Sequence, residues 1–251
     1  MLMLDRAQSI SRQALAGIPT PEPTRSWRPV AHSEVVDTLL DRAGTRGLKV
    51  CEERFAILPG TVTTPSGVQT NLPGARLFGT LDFEPIEGIR FPEGCRPSAG
   101  IRNSHDKTFA LSILSGARVL VCANGVLSAE HVVTRKHTSR LNLVAEIDRA
   151  LDAFLESMGQ FQNRYERWVS CRLTFTQAHS LIVQAARGGA FSSAQILPVL
   201  EEFEKPQHEA FRTPNAWHLY QAATERMKRQ SPGRQVEGFK ALNAVWTEQF
   251  S

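Results

Sequence analysis

From Ile147 to Trp168 the apolar residues recur at alternating steps of four and three: Ile147, Leu151, Phe154, Met158, Phe161, Tyr165, Trp168. That spacing places all seven on one seam of a single long helix, predicted over 141–168. The seam must be covered, either by a sheet of the same chain or by a second subunit. Its late aromatic residues suit a broad surface better than a narrow two-stranded zipper. The seam also divides the chain, because the residues before it carry a different period.

Upstream the pattern is that of strands. Residues 48–58, 75–83, 99–103, 108–114 and 117–122 are apolar or β-branched, and turn-forming residues separate them. Ser115-Gly116 interrupts the last two, and Asn124-Gly125 closes the stretch as a turn dipeptide. Residues 60–74, rich in Thr, Ser, Gly and Pro, read as a long loop or an irregular hairpin tip. A helix opens at His32-Ser33, with Ser33 as its cap and Val35, Val36, Leu39 and Leu40 as its apolar stripe. The first 17 residues read as a short amphipathic helix, and Pro19 to Pro29 as an extended arm anchored by Trp27. No Gly-rich phosphate loop follows a strand and no βαβ alternation occurs, which argues against a dinucleotide- or nucleotide-binding α/β fold.

Downstream, Thr174 to Gln177 fits a capping box. Ser192 or Ser193 starts another helix, and Thr213-Pro214 a third that carries Trp217, Tyr220, Ala223 and Met227. A last helix over 235–249 groups Phe239, Leu242 and Trp246. The expected fold is α+β: an antiparallel sheet with a leading helix, a long helix across it and a C-terminal helical bundle. The expected divisions are 1–25 (helix and arm), 26–140 (sheet domain) and 141–251 (helical region packed on the sheet).

With 41% hydrophobic and 22% charged residues the chain has material for a sizeable core. No apolar run reaches the roughly 20 residues of a membrane span, and no signal-like segment opens the chain, so a cytoplasmic protein is expected. Cys51, Cys95, Cys122 and Cys171 form no C-x-x-C pair, so neither structural zinc nor a disulfide framework is expected. The net charge of +4 is too small to diagnose a nucleic-acid binder by itself. The basic residues are grouped, however, in 131–140 and 226–240. Each run is either a solvated face or a phosphate-contacting surface.

Between the strands lies a polar bend, Asn103-Ser104-His105-Asp106-Lys107, with Arg118 on the following strand. As turn formers these residues can bond to local backbone, and His105 can donate to a carbonyl or to a buried carboxylate such as Glu225. They can also face a ligand. Arg118 in an apolar strand needs an internal ion pair or a groove.

Asn103-Ser104-His105-Asp106, then Arg118 with Cys122 and Asn124, then Asn215-Ala216-Trp217 through Thr224-Glu225, resemble the domain of unknown function family 932, phage- and plasmid-associated proteins. Gln221 stands where that pattern often has Asn, and Lys107 where a small residue, often Gly, follows the Asp. The resemblance implies mobile elements and a cytoplasmic site of action, and no established activity. Asn103, Asn124, Trp217 and Glu225 are then structural anchors.

Three functions are open. One is non-enzymatic binding or annealing of single-stranded DNA in recombination, similar in outline to the strand-annealing proteins of phages. Arg102, Lys107, Arg118, Arg135, Lys136 and Arg140 would contact phosphates, and Phe109 would stack bases, with no cofactor and no resident metal. The second is a metal-dependent nuclease or hydrolase centred on His105 and Asp106. The third is a homo-oligomeric interaction protein built through the seam or the arm.

Overall fold

A computed structural model describes residues 7–119, 125–228, 230 and 232–250. Six strands form one antiparallel meander in sequence order: β1 (Gln8–Ile10), β2 (Val50–Thr63), β3 (Gln69–Phe83), β4 (Cys95–Ser104), β5 (Leu111–Val119) and β6 (Gly125–Arg135). Helices α1 (Arg12–Leu15) and α2 (His32–Gly44) fall between β1 and β2. After the sheet come α3 (Leu143–Ser170), α4 (Phe175–Arg187), α5 (Ile196–Glu204), α6 (Ala216–Met227) and α7 (Pro232–Phe250). The α+β class expected from the sequence is the observed one.

Alternation along the strands builds the first core. Phe55, Ile57, Leu77, Leu81, Phe83, Ala99, Ile101 and Ile113 share one cluster with Val35, Val36 and Leu39 of α2 and with Ile147, Leu151, Phe154 and Met158 of α3. Each of the larger of these side chains, once sealed from water, contributes about 1.5–3 kcal/mol before the entropy cost is subtracted. Salt bridges from Arg42 and Arg46 to Asp148, both 2.8 Å, tie α2 to α3. Farther along the same seam, Phe161 and Trp168 belong to a second core. There they join Leu181 and Ile182 of α4, Trp217 and Tyr220 of α6 and Trp246 of α7. One helix therefore serves both cores, and the change from one to the other falls inside α3. The seam is consumed within the chain, with Ile147, Leu151 and Met158 at 0% exposure, so oligomerisation through it is set aside.

Several local expectations are corrected. The N-terminal segment forms β1 and the one-turn α1, because Ser9 and Ile10 pair with Ala56 and Phe55 and Ser11 caps the turn. The predicted loop over 60–74 is mostly ladder: β2 and β3 stay paired out to Thr63 and Gln69. Only the tip turns, closed by the Thr64 amide donating to the Val68 carbonyl at 2.9 Å. Ser115-Gly116 does not break β5. Both residues keep their partners on β4, Ala99 and Ser98, and the irregularity is a register shift against β6 between Leu114 and Ser115. Helix α2 begins at His32, without the side-chain cap expected of Ser33. Helix α6 begins at Ala216 with Asn215 as its cap, its side chain accepting from the His218 amide. Thr213 and Pro214 cannot start it, because the Pro214 carbonyl accepts from the Leu173 amide and Asn215 bridges to Arg172. The Thr174–Gln177 capping box is present. Among the described residues no helix is long and apolar enough to cross a membrane.

Candidate functional site

The bend after β4 is built inward. Asn103 and Ser104 are 0% exposed and His105 is 1% exposed. Ser104 Oγ donates to the Phe109 carbonyl at 2.8 Å and accepts from the Phe109 amide, which closes the bend on itself. Asp106 accepts from the Thr108 amide at 3.0 Å, from its hydroxyl, and from Arg76 Nε at 2.6 Å. Lys107 takes the left-handed conformation, φ 61°. Its ammonium lies 4.7 Å above the Trp27 ring.

What His105 meets is the proline-rich arm. Its Nε2–H donates to the Val30 carbonyl at 2.9 Å, and Asn103 Nδ2 donates to the same oxygen at 3.0 Å. His32 Nε2–H donates to the Gly74 carbonyl at 2.8 Å, and its Nδ1 faces Asn103 Nδ2 at 2.9 Å. The His32 and His105 rings stack. A third ring, His137, uses Nδ1 to accept from the Val30 amide at 3.1 Å, while its carbonyl accepts from the Arg28 amide at 3.1 Å. Burial, then the neighbouring His105, push the His32 imidazole down to about 3 against the pull of the Gly74 carbonyl. The same two causes take His137 down to about 4. His105 is lowered by burial, partly offset by the Val30 and Pro19 carbonyls and by Asp106. All three rings are neutral near pH 7.

The opposite face of the sheet carries a second polar centre that sequence reasoning missed. Asp82, 0% exposed, accepts from Ser98 Oγ at 2.5 Å, from Arg54 at 2.7 Å and from Arg118 at 2.8 Å. Glu52 completes it, bonded to Arg54 and, at 2.6 Å, to Arg118. Burial alone would raise the Asp82 carboxyl. The bonds from Ser98, Arg118 and Arg54 outweigh it and hold the group below the usual carboxylate range. The signal available in the sequence was the acid at an alternate position of a buried strand.

The predicted site residues are thereby sorted. Arg118 is internal, in the Asp82 cluster. Arg102 is half-buried, its guanidinium 5.4 Å from the Phe109 ring, so neither is an open phosphate contact. Phe109 lies 5.3 Å from Phe78 and is not a bare stacking face. Arg135 pairs with Glu146 at 2.8 Å. His105 and Asp106 turn to different partners, the arm and Arg76. Among the described residues no group of three or more His, Cys, Asp or Glu side chains is placed to hold a metal. Glu225 pairs with Lys228, one turn on at the end of its own helix, not with His105. Trp217, 3% exposed, sits edge-on to Tyr165 at 5.0 Å in the second core. Asn124 and Cys122 lie outside the described residues. Cys51, Cys95 and Cys171 are not joined in disulfides.

Lys107, Lys136 and Arg140 remain at the surface, and the fold brings Lys107 and Lys136 to the arm. The backbone pairing of Arg28 with His137 sets Lys136 beside the arm, and Lys107 caps Trp27, whose ring is 6.4 Å from that of His137. Arg25 and Arg28, both exposed, lie on the arm on either side of Trp27, with Glu22 as the exposed acid of that segment. Among the described residues none of Arg25, Arg28, Lys107, Lys136 and Arg140 takes part in an ion pair. Sequence reasoning missed the arm's two arginines because nothing local links residues 25–28 to 136–140.

The fold and this site define an α+β protein: a six-stranded meander gripped by helices, with Lys107 seated on Trp27 where the arm crosses the sheet's end. A family model described as a domain of unknown function (DUF932) matches residues 94–246, more than half of the chain. The chain belongs to that family. Neither the curated proteins nor the solved structures contain a match.

Proposed function

We propose that this chain binds single-stranded nucleic acid, without catalysis, through the surface around Trp27. The observation that carries the reading is the seating of Lys107 on the half-buried Trp27 ring, among cations of the arm and of the segment after β6 that have no acidic partners among the described residues. Lys107 covers one face of the ring, the part of it left exposed can take a base, and cations without acidic partners track the phosphates. The phage- and plasmid-like setting implied by the family resemblance, with strand annealing or recombination as the task, is part of this proposal. The hydrolase reading has no such support, since His105 is sealed at 1% exposure and the Asp106 carboxylate is occupied.

The test is a fluorescence-anisotropy titration with labelled oligothymidylate over a range of salt. Engagement of about five phosphates gives a slope of log affinity on log salt of roughly −3.5. Trp27→Ala weakens binding by about tenfold, the lower part of the range for one stacked base. Absence of binding at low salt overturns the reading.

A further inference from the structure

Val30 is held at both ends of its backbone by imidazoles. Its carbonyl receives His105 Nε2–H at 2.9 Å and its amide is received by His137 Nδ1 at 3.1 Å. His32 stands behind His105, ring centroids 3.9 Å apart. Ile18, at the other end of the arm, packs on Gly74, where an added Cβ would come within 2.8 Å of its Cδ1. Among the described residues, Asn103 is the one further side chain bonded to Val30, donating to the same carbonyl. We propose that His32, His105 and His137 form a pH-sensitive latch on the proline-rich arm: His105 holds the Val30 carbonyl through a donor that either protonation state keeps, and protonation of His137 and His32 frees the arm.

The chemistry requires neutral rings at two points. His137 Nδ1 can accept from the Val30 amide only while it carries no proton. His32 Nδ1 likewise faces the Asn103 amide nitrogen, a donor, so a proton there meets another proton. Two imidazolium rings stacked at 3.9 Å would also repel in a buried setting. The charged groups facing the cluster give little relief. From the bend, Asp106 is bonded to Arg76 and Thr108, and Lys107 turns outward to Trp27. From the arm, His137 meets the backbone of Arg28. From β3 the Gly74 carbonyl meets His32, and the one cation it sends to the bend, Arg76, is paired with Asp106.

The sign follows. Buried neutral histidines lie below their ordinary value of 6.5, so the freed arm binds more protons than the latched one. The latch is whole above pH 6.5 and weakens below it. Between pH 7.5 and 5.5 the freed population rises about tenfold for one such ring and about a hundredfold for two. Freeing the arm parts Trp27, Arg25 and Arg28 from Lys107 and Lys136, so acid takes the proposed binding surface apart. That consequence rests on the nucleic-acid reading; the latch does not.

Hydrogen exchange of the full chain, corrected for intrinsic rates, tests the latch at pH 7.5 and 5.5. The Arg28 and Val30 amides are expected to lose at least tenfold protection in acid while α6 keeps its own. His137→Gln, whose side-chain carbonyl can still accept from Val30 but does not titrate, is expected to lose a large part of that pH dependence. Equal arm protection at both pH values, or loosening of α6 in step with the arm, overturns the latch; should the variant not fold, the parent comparison still decides. Oligothymidylate affinity, measured at the same two pH values, is expected to fall in acid although the protein gains positive charge. No binding at either pH defeats the surface reading and leaves the latch to be judged by exchange alone.

Discussion

The rings of His32 and His105 lie parallel to within 1°, with centroids 3.9 Å apart. One comes from the first turn of α2 and the other from the bend after β4, and Asn103 lies between their hydrogen-bond systems. This pairing makes the bend that carries His105 and Asp106 a fastening for the arm.

His105→Ala removes the ring and its bond to Val30, leaving a buried carbonyl half-satisfied and a cavity beside His32. A loss of about 2–3 kcal/mol is expected, measured as a shift of the urea midpoint with an unchanged slope. A variant as stable as the parent would mean that the arm is held by something other than this ring.

Asp82→Asn leaves Arg54 and Arg118 with Glu52 alone. A cost of about 3 kcal/mol at neutral pH is expected, since removing one partner of a buried pair strands the others. Asp82 titrates below its ordinary value of 3.8 when folded, so its contribution is complete above that value and is lost as pH falls through the lower folded one. Urea unfolding between pH 5 and pH 2 should therefore be steeper in pH for the parent than for Asp82→Asn. Parallel curves would refute the assignment.

Lys107→Gly separates fold from binding. The residue sits at φ 61°, a conformation that costs a side-chain-bearing residue about 1 kcal/mol and glycine almost nothing. The variant should match or slightly exceed the parent in stability, and lose one cation from the salt dependence of oligothymidylate binding, a slope smaller by about 0.7. An unchanged slope would remove Lys107 from the surface.

Gly60→Ala tests the bend from the other side. A Cβ there would collide with Asp106 Oδ2 and lie 2.9 Å from the Ala75 Cβ. The carboxylate would have to leave Arg76, so a loss of about 2 kcal/mol in thermal or urea unfolding is expected. Tolerance of the methyl would show that the Asp106–Arg76 pair contributes little.

Much of the architecture could be read before any coordinates. The seam from Ile147 to Trp168, the Thr174–Gln177 capping box and the α+β order all follow from short-range periodicity, which reports which face of an element is apolar. The same information cannot say what covers that face. The seam turned out to join two cores, and the loop over 60–74 continued as ladder because Thr61 and Val62 found Asn71 and Thr70 across the hairpin. The site was legible only as a list of polar residues. Its sense depends on Val30, His32, Gly74, Asn103, His105 and His137 meeting in one place, although 107 positions separate Val30 from His137. Local pattern determined that 103–107 would bend and that Arg118 would need a partner; long-range packing alone decided that the bend faces the arm, that Asp82 receives Arg118, and that Lys107 sits on Trp27. A polar side chain's role is set by the dielectric and the partners around it, and both are supplied by distant parts of the chain.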